Sequence, residues 1–203
     1  MKRIAEIRTI SIALAATATV GLAAVASPAL ASKESSLDAQ ELVPAFGQVQ
    51  AQGDVPADSV KRSRALSDLP IDTMRILKRS QKAEYYVSLG PNRSEICLIV
   101  VLKGSGENAA SACTSRPEFN QSGLALHLWG EQSAANAKGA VAYLMPADVN
   151  LEALSGMSDS ADSGLTVDTG RGLITSESSS NVPDKLELPR GKSKRAFTLN
   201  RLD

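Results

Sequence analysis

The chain has 203 residues, with 22 basic and 22 acidic side chains, one histidine and two cysteines. A balanced charge argues against a nucleic-acid binder, which carries Lys and Arg clustered on one face, and it gives no electrostatic reason to bind a membrane surface. Aromatic residues make up 3% of the chain, too few for a broad carbohydrate platform or an aromatic cage.

Lys2, Arg3 and Arg8 surround a single acidic residue, Glu6, and precede an apolar run over residues 10–26. Pro28 breaks the run, and Ala29, Leu30 and Ala31 give a small-x-small pattern before Ser32. This order reads as a cleavable secretory signal peptide over residues 1–31, cut between Ala31 and Ser32. A retained membrane anchor is the alternative, but the run is at the short end of the roughly 17–25 residues that a span requires. Removing residues 1–31 leaves 19 basic and 21 acidic side chains, a net charge of −2. The mature chain is expected outside the cytoplasmic membrane, with neither nucleic acid nor membrane as a partner.

Residues 32–64 are rich in Ser, Ala, Gln and Asp, and Leu37, Leu42, Val43 and Phe46 are too sparse for a core of their own. They read as a flexible spacer, with the folded domain over residues 65–203. Within it, Pro70 and the apolar Ile71, Met74, Ile76 and Leu77 predict a short helix or turn. Residues 83–89 have strand propensity, and Gly90, Pro91 and Asn92 close them with turn chemistry. Residues 96–102 are a continuous apolar run, the pattern of a strand buried on both faces. These two strands should form a hairpin.

Cys97 and Cys113 are expected to pair. In an oxidising compartment an isolated pair is most simply a disulfide, here closing a loop of roughly 15 residues. Redox pairs want C-x-x-C spacing and zinc wants four ligands. With one histidine in the chain neither fits, and no cofactor is expected.

Residues 104–112 read as a loop. Ser115, Pro117 and Glu118 then give the capping pattern of a helix start, ended by Gly123. Residues 124–129 alternate as a strand, with Leu124, Leu126 and Leu128 on one face and Ala125, His127 and Trp129 on the other. Residues 140–145 form another strand. Residues 165–167 and 173–175 make a hairpin, and residues 186–188 and 196–199 add short strands. The fold class is α+β and mainly antiparallel β, a single disulfide-linked domain with one or two short helices.

The residues Tyr85, Tyr86 and Val87, the strand 96–100 with Cys97, and then Cys113, Glu118, Phe119, Gly123 and Leu124 form a set. With residues 142–149 it resembles a group of uncharacterised actinobacterial secreted or cell-surface proteins that carry a two-cysteine, β-rich domain. The resemblance covers roughly residues 68–150. It implies a compact extracytoplasmic domain and no particular activity.

Motifs with chemistry are sparse. His127 is the one candidate base, yet neither G-x-S-x-G nor S-x-x-K occurs. Gly191, Lys192 and Ser193 mimic the end of a phosphate loop, but Leu186 stands where the first glycine belongs. Asp159, Asp162 and Gly164 lack the alternating ligands of a calcium loop. The expectation is a non-enzymatic binding module for an envelope or extracellular protein or glycan, with Trp129 as a contact candidate. The alternative is a small hydrolase of cell-wall or peptide substrates that uses His127. A third reading is an inhibitor presenting residues 104–112.

Overall fold

A computed structural model describes residues 37–103, 108–129, 139–154, 164–176, 185–191 and 195–200. The chain divides into Met1–Ser35 and Ser36–Asp203, and every described residue falls in the second unit. The signal-peptide reading, its Ala31–Ser32 cleavage site, the Asp159–Gly164 motif and Lys192–Ser193 lie outside the described residues, except for Gly164.

The chain enters through two short helices, α1 (Ala39–Leu42) and α2 (Asp58–Lys61). Asp38 caps α1 by accepting the Gln40 N–H at 3.1 Å, as an acidic N-cap should. Four strands follow in sequence: β1 (Arg75–Arg79), β2 (Ala83–Leu89), β3 (Glu95–Leu102) and β4 (Ala109–Ser115). They form one antiparallel sheet in the order β1-β2-β3-β4. Helix α3 (Arg116–Ser122) leads to β5 (Leu124–Trp129) and β6 (Gly139–Leu144). With the hairpin β7 (Leu165–Asp168) and β8 (Leu173–Ser176) these make a second antiparallel sheet, ordered β5-β6-β8-β7. A last hairpin pairs β9 (Lys185–Leu188) with β10 (Phe197–Asn200). The domain is therefore α+β and β-rich, with three short α-helices among the described residues.

Side-chain parity explains the layers. In a strand, successive residues point to opposite faces. Ile96, Leu98, Val100 and Leu102 of β3 join a central cluster with Tyr85 and Val87 of β2 and with Leu124, Ala140, Ala142 and Leu144 of the second sheet. Cys97, Ile99 and Val101 point the other way, into a cluster with Val60, Leu66, Leu69, Met74 and Tyr86. The second sheet repeats the device: Val141, Tyr143 and Met145 meet Leu188, Phe197 and Leu199 on its far face. Each sheet is thus covered on both sides, and β6 and, after Glu95, β3 are apolar throughout because neither has a solvent face.

Three expectations require correction. Residues 37–64 are not a spacer from Leu37 onward. Leu42, Val43 and Ala45 belong to the central cluster, and the Leu42 carbonyl accepts the Ala147 N–H at 2.9 Å. The segment also covers the free edge of β1. The buried Asp54 carboxylate accepts the Ala51 N–H at 2.7 Å and the Ile76 N–H at 3.0 Å, while Arg75 Nε donates to the Gln48 carbonyl. Covering an edge in this way blocks unwanted strand pairing.

The short helix or turn expected near residues 71–77 is present as a 3-10 turn, Ile71–Thr73, but it stops there and the residues from Arg75 onward form β1. Leu77 enters the central cluster and Ile76 packs against the outer one, so a period of two prevails over the helical spacing. The loop expected over residues 104–112 becomes strand from Ala109, where β4 pairs with β3 from Val101↔Ala109 to Glu95↔Ser115. Residues 104–107 lie outside the described set.

The remaining elements stand as read. The hairpin of β2 and β3 pairs Leu89 with Ile96. Ser115 caps α3 by accepting the Glu118 N–H at 3.3 Å, although Glu118 itself bonds Thr114 Oγ1 rather than closing the capping box. Gly123 ends α3 at φ 64°, and a Cβ there would sit 2.7 Å from the Leu144 carbonyl oxygen, so only glycine fits. Among the described residues no helix is long and apolar enough to cross a membrane.

Candidate functional site

The Cys97–Cys113 disulfide joins directly opposed residues of β3 and β4. Cys97 is fully buried in the outer cluster while Cys113 is exposed on the edge strand. The bond staples β4 to the sheet, which is a structural task.

His127 is placed on β5 opposite Val141 of β6 and is half-buried. Burial lowers its pKa, which keeps the imidazole neutral near pH 7 but makes it a weaker base. The backbone of Trp129 pairs with Gly139; its side chain lies outside the described residues. Among the described residues no group of three or more His, Cys, Asp or Glu is arranged to hold a metal ion.

Two charged networks are structural in character. Glu84 lies between Lys103 and Arg79, each at 3.4 Å, and accepts from the Tyr86 hydroxyl. Burial alone would raise the Glu84 pKa, but the Tyr86 and Lys103 hydrogen bonds and the two cations outweigh it and hold the carboxyl below its usual range. Tyr86 is pushed well above the usual phenol range by burial and by Glu84. Arg190 donates to both carboxylate oxygens of Asp148, at 2.9 and 2.5 Å, and to the carbonyl and side-chain oxygens of Asn120, each at 2.7 Å. Four of the five guanidinium hydrogens are thereby spent. This centre ties the C-terminal hairpin to α3 and offers little to a ligand.

A third arginine group differs. Arg75 begins β1, Arg93 sits in the turn between β2 and β3, and Arg116 begins α3. All three line an open cavity of about 270 Å3 together with Asp38 and Asp72. The groups form a continuous chain. Arg116 donates to the Arg93 carbonyl, Arg93 pairs with the Asp72 carboxylate at 2.6 Å, and Arg75 donates to the Asp72 carbonyl at 3.1 Å. Arg116 also holds the Leu37 carbonyl at 3.1 Å, so the cavity depends on the N-terminal segment being folded. Sequence reasoning missed this site. Its arginines stand 18 and 23 residues apart and share no local motif.

The cavity brings together none of the residues favoured from the sequence: neither His127 nor either cysteine lines it. No protein-family model, curated protein or solved structure matches the chain.

Proposed function

We propose that this chain is an exported, non-enzymatic binding module. It would be released by cleavage between Ala31 and Ser32 and act on an envelope or extracellular protein or glycan. The n-region, apolar run and A-x-A site support export, and the single disulfide fits an oxidising compartment.

The observation that carries the binding reading is the arginine-lined cavity. Among the described residues its lining contains no histidine, cysteine, serine, lysine or tyrosine. The one hydroxyl there, on Thr73, is committed to the Pro70 carbonyl, to Ser88 Oγ and to the Leu89 N–H. Of the two carboxylates there, Asp72 is paired with Arg93 and Asp38 caps α1, and the three guanidiniums that dominate the lining are the equipment of anion recognition.

The test is capture of material from an envelope extract by the oxidised chain 32–203. Wild type and His127→Ala should retain the same species, and Arg75→Gln should lose it. Turnover of an envelope substrate that His127→Ala abolishes would instead make the protein a hydrolase.

A further inference from the structure

We infer that the cavity lined by Arg75, Arg93 and Arg116 is a binding site for a singly charged, carboxylate-bearing ligand with a small apolar group. This deepens the binding-module reading and rests on it.

The argument begins with donors left over. Arg75 spends Nε on the Gln48 carbonyl and Nη1 on the Asp72 and Met74 carbonyls, which leaves Nη2 unspent among the described residues. Among the described residues Arg93 spends only Nη2, on Asp72. Arg116 spends Nη1 and Nη2 on carbonyls, while its Nε is buried without a hydrogen-bond partner among the described residues. Arg116 is therefore the anchored member of the group, its Nε closed off and its two terminal nitrogens on carbonyls, and the donors left for a ligand are those of Arg75 and Arg93. A guanidinium held by backbone carbonyls is also already ordered, which reduces the entropy lost when a ligand binds.

Backbone conformation points the same way. Arg93 is the one non-glycine residue with positive φ among the described residues, at 55°. Asn or Gly would occupy that conformation with less strain. Strain of this kind persists where the side chain has work to do.

Charge and shape select the ligand. Three guanidiniums against Asp38 and Asp72 leave one net positive charge, which matches a monoanion better than a phosphate dianion. A carboxylate takes paired N–H bonds from a guanidinium fork. Phe46 and Leu89 give the cavity an apolar wall. A volume of about 270 Å3 is below the usual range of roughly 300–1,000 Å3 for drug-sized molecules, so the apolar group is small.

The experiment titrates the disulfide-bonded chain 32–203 with N-acetyl-alanine, with its uncharged amide, and with inorganic phosphate. Binding is read from the side-chain Nε–H NMR signals of the arginines. The acid should shift the signals of Arg75 and Arg93 saturably, the amide should not, and phosphate should bind more weakly. Arg93→Asn preserves the backbone carbonyl that Arg116 uses and suits the positive φ. It should keep the thermal midpoint while lowering affinity about tenfold, the loss of a charge-assisted bond. Equal shifts from acid and amide, no binding by either, or unchanged affinity in Arg93→Asn would overturn the site. Tighter binding of phosphate would overturn the carboxylate assignment. Failure here with envelope capture intact would sink this inference and leave the binding module standing.

Discussion

His127 sits half-buried on β5, and burial holds its pKa below the 6.5 of a free imidazole. The unfolded chain therefore takes up a proton at higher pH than the folded one. By linkage the folded state loses stability as pH falls from above 6.5 toward the lowered folded value, and the loss is complete once both states are protonated. Glu84 acts in the same direction lower down. Its folded pKa is depressed below 4.5, so its contribution is present above that value and disappears as pH falls through the folded pKa. Urea midpoints measured from pH 8 to pH 5 should fall for wild type and stay flatter for His127→Gln. An unchanged slope in the variant would show that the imidazole gains no proton penalty on folding. The same histidine illustrates what a sequence offers at this scale. A lone titratable residue attracts attention by its rarity, whereas Arg75, Arg93 and Arg116 are three among many basic residues and meet only after folding.

Elements were legible where burial imposed a pattern. β3 and β6 show as apolar runs because clusters press on both faces, and α3 shows through Ser115, Pro117 and Gly123. β4 was hidden, because Ala109, Ala110, Ser111 and Ala112 are small and carry no alternation of hydrophobicity. It is a strand only because β3 supplies its hydrogen-bond partners. An edge strand with so little apolar burial depends on the Cys97–Cys113 bond to stay in place. The chain-entropy account gives about 3 kcal/mol for a loop of roughly 15 residues. Replacing both cysteines by alanine should lower stability by about that amount, and β4 amides should lose hydrogen-exchange protection before those of β2 and β3. Uniform protection across the sheet in that variant would mean that backbone pairing alone holds β4.

At the scale of the molecule, the N-terminal segment alters what counts as the domain. A boundary at residue 65 looks natural in the sequence, since residues 32–64 are polar and their few apolar residues are scattered. Those few are placed where they matter: Leu42 and Val43 in the central cluster, Val60 under the first sheet. Each is worth about 1.5–3 kcal/mol of transfer free energy on full burial, against a typical total stability of about 5–15 kcal/mol. Ordering the segment offsets part of that gain. Its removal would also take Leu42, Val43 and Ala45 out of the central cluster and Val60 out of the outer one, open the edge of β1, and delete the Asp38 wall of the arginine cavity. A chain of residues 66–203 should therefore show a lower denaturation midpoint than residues 32–203, bind a hydrophobic dye, and lose carboxylate binding. Equal midpoints with no dye binding would return residues 37–64 to the status of a spacer. In that case the cavity could not be a built feature of the fold, because one of its walls would be dispensable.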